Sequence, residues 1–167
     1  MQYLIKTKLV KILVDTIYVK DTAGADKFLI KEKFGFFPKW DIFDMEGKKL
    51  LCIKKMAFNV FARYDVINTD NKTLAIIKRK FSPFVPKYKI TNKIDENSAY
   101  ELSGDAVSWN FSVKKNGSLI CDIRKQTVSL TNNYDINVFD ENDTLLCFAC
   151  VLALGREHHK NKNKSKY

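Results

Sequence analysis

The chain has 167 residues, 46% of them hydrophobic and 13% aromatic, with only three Pro and six Gly. That length fits one domain with a sizeable core, and the composition excludes a disordered chain and a Pro/Gly-rich linker between domains. Lys and Arg outnumber Asp and Glu by 29 to 19, a net charge of +10 that invites polyanionic partners, although Arg156–Tyr167 alone holds five basic residues against one Glu.

The opening, MQYLIKTKLVKILVD, is broken by Lys6, Lys8 and Lys11. It lacks the uninterrupted apolar stretch of about 7 to 15 residues that a signal peptide needs. The four Cys, at 52, 121, 147 and 150, sit in apolar surroundings rather than in a small disulfide framework. Both features predict a reducing, cytoplasmic setting, peripheral to the inner membrane face if the protein meets a membrane.

Downstream the chain repeats. FLIKEKFG (28–35), LCIKKMAF (51–58), AIIKRKFS (75–82) and CDIRKQTVS (121–129) each place a basic residue directly after an Ile: Ile30–Lys31, Ile53–Lys54, Ile77–Lys78 and Ile123–Arg124. The first three are 23 and 24 residues apart and the fourth follows after 46, two periods with one degenerate copy. Large residues Ile17, Trp40, Tyr64, Tyr88, Trp109 and Tyr134 recur at spacings of 21 to 25. Alternating stretches such as Tyr64-Asp65-Val66-Ile67-Asn68 end in turns at Ala23-Gly24, Glu46-Gly47, Asp70-Asn71 and Asn116-Gly117. Each unit therefore reads as strand, turn, strand. Six units predict about twelve antiparallel strands, connected locally and closed into a barrel that leaves no edge.

A barrel of that size is too wide for wall side chains to fill. The run TLLCFACVLAL, Thr144–Leu154, has no charge. As a helix it spans about 17 Å, too short to cross a bilayer, which takes about 20 apolar residues. Being apolar all round, it must be buried all round. It is the predicted lumen filling, in a core helix of about 143–158, with Asp143 or Asn142 as cap and Gly155 as terminator. The expected organisation is one domain over 1–159 and a disordered basic tail over 160–167.

The opening MQYLIKTKL, the hairpin unit DMEG followed by LLCIKK, the repeated Ile–basic segments and the closing apolar helix together resemble the LURP-one-related family, in its bacterial branch. The resemblance spans roughly residues 1–159. It implies a mainly β, tubby C-terminal-like fold, a twelve-stranded barrel around a central C-terminal helix, with phospholipid scramblases as distant relatives. Tubby domains bind phosphoinositide head groups, but none of their lipid-site motifs transfers residue by residue onto this chain.

No catalytic constellation stands out. The two His, His158 and His159, are adjacent and near the chain's end, without an orienting partner in view. Cys147 and Cys150 form C-x-x-C, but inside the apolar run, so a redox or metal role is the minor alternative. The acidic run 140–143, DEND, lacks calcium-loop spacing. The expectation is a non-enzymatic binding or scaffold domain without cofactor or metal.

Its candidate anionic-ligand residues are the outward column Lys31, Lys54, Lys78 and Arg124, with Lys55, Arg79, Lys80 and Lys125 adding charge nearby. Two aromatic, Pro-containing loops, FGFFPKW (34–40) and FSPFVPKY (81–88), offer Phe36, Phe37, Trp40 and Phe84 as membrane contacts. Expected partners are anionic membrane lipid or a protein, with charge-driven nucleic-acid binding as the alternative and no transmembrane segment.

Overall fold

The computed structural model describes residues 1–7, 14–33, 35, 37–82, 87–105, 107–126 and 133–164. Twelve strands follow one another: β1 (Gln2–Thr7), β2 (Val14–Asp21), β3 (Asp26–Lys33), β4 (Lys39–Asp44), β5 (Lys49–Lys55), β6 (Arg63–Ile67), β7 (Thr73–Arg79), β8 (Lys87–Asn92), β9 (Ala99–Asp105), β10 (Asn110–Lys115), β11 (Ser118–Lys125) and β12 (Tyr134–Val138). Each pairs antiparallel with its chain neighbours, and β1 pairs with β12 to close the barrel. A single 3-10 turn, Glu141–Asp143, leads into α1 (Thr144–Lys164).

The repeat maps onto this wall. Ile30, Ile53, Ile77 and Ile123 all point inward and are completely buried. The degenerate copy lies on β9, where Leu102 takes the buried position and Ser103 stands where the others have a cation. The recurring large residues, Ile17, Trp40, Tyr64, Tyr88, Trp109 and Tyr134, are all buried and lie in the first half of the even-numbered strands or, for Trp109, directly before one. They form a mostly aromatic collar at one end of the lumen, with Trp40 and Tyr64 rings 6.2 Å apart and Trp109 and Tyr134 rings 5.3 Å apart.

Turn geometry distinguishes the two ends. Four of the five links from an even strand to the next odd one turn through a positive-φ residue, at Gly24, Gly47, Asn71 and Gly117, with register shifts in the adjoining ladders; β8 and β9 are joined by the longer link 93–98. Links from an odd strand to the next even one lie at the collar end.

α1 enters at the turn end and leaves at the collar end. Cys147, Phe148, Ala149, Cys150 and Ala153 are fully buried, and the Phe148 ring packs edge-on against Tyr3 and Phe28 at 5.3 and 5.2 Å. Three expectations need correction. The helix continues to Lys164, through part of the stretch predicted to be disordered. Gly155 does not terminate it: Gly155 lies within α1, where a Cβ would stand 3.1 Å from the Tyr134 hydroxyl, so its role is close approach. The Asp143 carboxylate is taken up by Tyr100 and Lys115 rather than by the helix start, and Asp140 caps the preceding 3-10 turn by accepting from the Asn142 backbone N–H. Among the described residues no helix is long and apolar enough to cross a membrane.

Candidate functional site

The eight cations of the expected basic exterior divide by strand alternation. Lys31, Lys54, Lys78, Lys80 and Arg124 are exposed on the outer wall. Lys55, Arg79 and Lys125 are not part of that surface. Each stands two residues after an inward Ile, so period-2 geometry turns it into the barrel mouth, and all three are half-buried. Lys55 Nζ lies 2.6 Å from Glu157 on α1 and 5.3 Å from the Tyr64 ring centroid. Lys125 Nζ lies over the Trp109 ring at 5.5 Å. Arg79 stands opposite the collar residue Tyr88.

The remaining column is not a uniform basic stripe either. Lys31 faces Asp41 across β3–β4, Lys54 faces Asp65 across β5–β6, and Arg124 faces Asp135 across β11–β12. Asp41 is 4% exposed and sits among three lysines, Lys49 at 2.7 Å and Lys33 and Lys39 at 3.7 Å. Burial acts to raise its pKa, but the Lys49 hydrogen bond and the Lys39 and Lys49 charges outweigh it and hold the carboxyl below the ordinary aspartate value. Asp65 is gripped by Arg63 through two bonds of 2.7 and 3.0 Å. Lys31, Lys54 and Arg124 thus each have an Asp opposite them, although Asp41 and Asp65 close their ion pairs with other cations.

Lys78 is different. Its neighbour on β6 is Arg63, already held by Asp65, and its neighbour on β8 is Lys89. One step along the same ladder the Lys80 N–H donates to the Lys87 carbonyl at 2.8 Å, which sets those two residues opposite each other. All four side chains are exposed. Two like-charged pairs therefore stack on one two-stranded ribbon, about 5 Å across and about 7 Å along at the backbone. Among the described residues no carboxylate lies within 4.0 Å of any of the four ammonium groups; Glu101 faces Lys89 from β9 without closing an ion pair. Lys87 and Lys89 carry no Ile–basic signature, so the repeat passes over them. The alternation Lys87-Tyr88-Lys89-Ile90 was the signal that would have found them.

Aromatic side chains continue this patch toward the collar end. Phe81 is 79% exposed, and its ring lies 6.5 Å from that of Phe61 in the β5–β6 loop. Of the expected membrane contacts, Phe37 is exposed. Trp40 is not available: it is buried against Tyr64, because the inward face of β4 carries it. Phe36 and Phe84 lie outside the described residues.

The C-x-x-C thiols, Cys147 and Cys150, are fully buried on α1, and burial and neighbouring acidic groups keep both protonated, for Cys147 with a Cys121 hydrogen bond as the largest cause. A buried, protonated thiol is a poor nucleophile and a poor metal ligand. Among the described residues no three His, Cys, Asp or Glu side chains converge on a metal-sized site.

Against known proteins, a family model described as LURP-one-related matches residues 1–155. Neither the curated proteins nor the solved structures compared with the chain give a match.

Proposed function

The chain belongs to the LURP-one-related family, and we propose that this member is a non-enzymatic domain that binds anionic phospholipid head groups through Lys78, Lys80, Lys87 and Lys89. The observation that carries this reading is the unneutralised pairing of Lys78 with Lys89 and of Lys80 with Lys87. Like charges directly opposed on a sheet destabilise it by a few tenths of a kcal/mol to about 1 kcal/mol per pair. Elsewhere on the same wall an Asp stands opposite the cation, so the fold tolerates an acid at such positions. A surface of phosphates would relieve the repulsion and gain about 1 kcal/mol for each lysine near it.

Lipid is favoured over single-stranded nucleic acid by the placement of the aromatics. Stacking platforms interleave rings with cations. Here the outward positions between the four lysines hold none, and the exposed rings stand at the loop end.

Flotation with phosphatidylcholine vesicles, with and without phosphatidylserine, across a salt series tests the proposal. The expected result is flotation only with phosphatidylserine, weakened by salt, resistant to single-stranded DNA as competitor, and lost in the Lys78→Glu/Lys89→Glu variant. Equal flotation on both lipids, or a charge-reversed variant that floats like the parent, rejects it.

A further inference from the structure

We infer that the β5–β6 loop, residues 56–62, inserts Phe58 and Val60 into the boundary between head groups and acyl chains, so that the barrel stands on the membrane with its collar end down. The inference rests on the phospholipid reading above and adds which end of the molecule meets the lipid and which residues enter it.

Two observations single out this loop. Phe58 is 103% exposed, with its whole ring in water, and its backbone has φ +54°, a left-handed conformation that is costly for an aromatic residue. Val60, two residues on, is 95% exposed. Neither side chain contributes to the core, and Phe58 holds a backbone conformation that an aromatic residue rarely adopts. The base of the loop is nonetheless held: Met56 N–H donates to the Arg63 carbonyl at 2.9 Å, Arg79 N–H donates to the Ala62 carbonyl at 2.9 Å, and the Phe61 ring packs near Phe81. The result is an apolar tip on a fixed stem.

Charge states what the tip faces. Exposed carboxylates Glu46, Asp70, Asp95, Glu96 and Glu141 lie in the turns at the far end, alongside exposed Lys27, Lys48, Lys72 and Lys93, while Asp105 is exposed at the collar end. Exposed apolar side chains occur there too, Met45, Ile94, Leu119 and Phe139 among them, but Met45, Ile94 and Phe139 each stand within two residues of an exposed carboxylate, which an anionic bilayer repels. At the collar end Lys54 leads into the loop, and Lys80 and Lys87 flank Phe81. Exposed rings ringed by lysines match the interface of an anionic bilayer, where apolar area and charge act together. α1 leaves the barrel at this same end and runs on from Glu157 to Lys164, about 10 Å further.

The test uses the full chain with a polarity-sensitive dye at one of two introduced thiols, Val60→Cys or Ile94→Cys; the four native thiols are buried and do not compete. Vesicles of phosphatidylcholine with phosphatidylserine are expected to shift the dye at position 60 to the blue and shield it from an aqueous quencher. The dye at position 94 is expected to stay unshifted. Phe58→Ser is expected to weaken flotation roughly tenfold while leaving the thermal midpoint unchanged, since the ring makes no buried contact. A protein that floats and responds to salt while the dye at 60 stays in water overturns insertion and leaves head-group binding standing. A shift at 94 instead of 60 overturns the orientation. No flotation at all defeats insertion together with the phospholipid reading.

Discussion

Lys55 Nζ and Glu157 Oε1 lie 2.6 Å apart although 102 residues separate them, and Tyr64 donates its hydroxyl to the same Glu157 oxygen at 2.7 Å. The same arrangement closes the other end of the lumen. Lys115 Nζ lies 3.1 Å from Asp143, Tyr100 donates its hydroxyl to Asp143 at 2.9 Å, and Lys115 sits 5.3 Å from the Tyr100 ring centroid. Each end of the buried segment is thus pinned to the wall by a carboxylate shared between a lysine and a tyrosine. The apolar middle of the helix has no polar group to fix its height, and a helix in a smooth apolar bore could slide. The two clamps set its register.

Breaking one clamp leaves a buried charge without its partner. Lys55→Met is expected to cost about 3 kcal/mol, because Glu157 remains almost fully buried. Glu157→Gln should cost a comparable amount, and the double variant should lose clearly less than the sum. Urea unfolding of the three proteins checks this. Additive losses would mean that the pair does not act as a unit.

The tyrosines of the lumen give the fold a base-sensitive limit. Burial is the largest cause raising Tyr64, Tyr88, Tyr100 and Tyr134, with Glu157 adding to it for Tyr88, which is pushed up to about 12. A pKa raised on folding gives stability that is fully present below the unfolded value near 10 and is lost as pH rises through the folded one. Stability should therefore fall steeply from about pH 10 upward. Tyr88→Phe should flatten the part of the decline between about pH 10 and about 12. Urea midpoints measured against pH decide it, and an unchanged slope in the variant counts against the assignment.

The sequence shows the barrel because its signals are local. Period-2 alternation and Gly or Asn turns recur every 24 residues or so, and a charge-free run of the length of Thr144–Leu154 has one place to go in such a wall. Which cations are free is not local. Lys31 and Lys78 occupy the same repeat position, yet cross-strand register gives one an Asp and the other a Lys. Lys55 looked like one more surface charge because its partner is a helix residue 102 positions on. Phe58 and Val60 were hidden for another reason: apolar loop residues ordinarily fold over a barrel mouth, and only the backbone path shows that these do not.

Because the lumen helix is the core of the wall, a charge within it cannot be accommodated locally. Phe148→Asp or Val151→Asp is expected to abolish cooperative unfolding, and Phe148→Ala to cost about 3 to 5 kcal/mol. Circular dichroism and calorimetry would show it. A charged variant with a sharp native transition would exclude the helix as the filling.

Tyr134 offers a substitution in the opposite sense. Its hydroxyl is buried, has no hydrogen-bond partner among the described residues, and faces Gly155 of α1 at the distance where a Cβ would crowd it. An unpartnered buried hydroxyl opposes folding by about 1 kcal/mol or more. Tyr134→Phe should therefore raise stability by about 1 kcal/mol, less any cost of the small void left beside Gly155. Gly155→Ala alone meets the hydroxyl at 3.1 Å and should be neutral or destabilising. In the Tyr134→Phe background the same Ala fills space that the oxygen vacated and adds helix propensity of up to about 1 kcal/mol. The double variant should then be the most stable of the four, with a coupling that additive behaviour would not give. Thermal midpoints of the four proteins test this, and a Tyr134→Phe variant that melts well below the parent would show that the hydroxyl is not the liability that its surroundings imply.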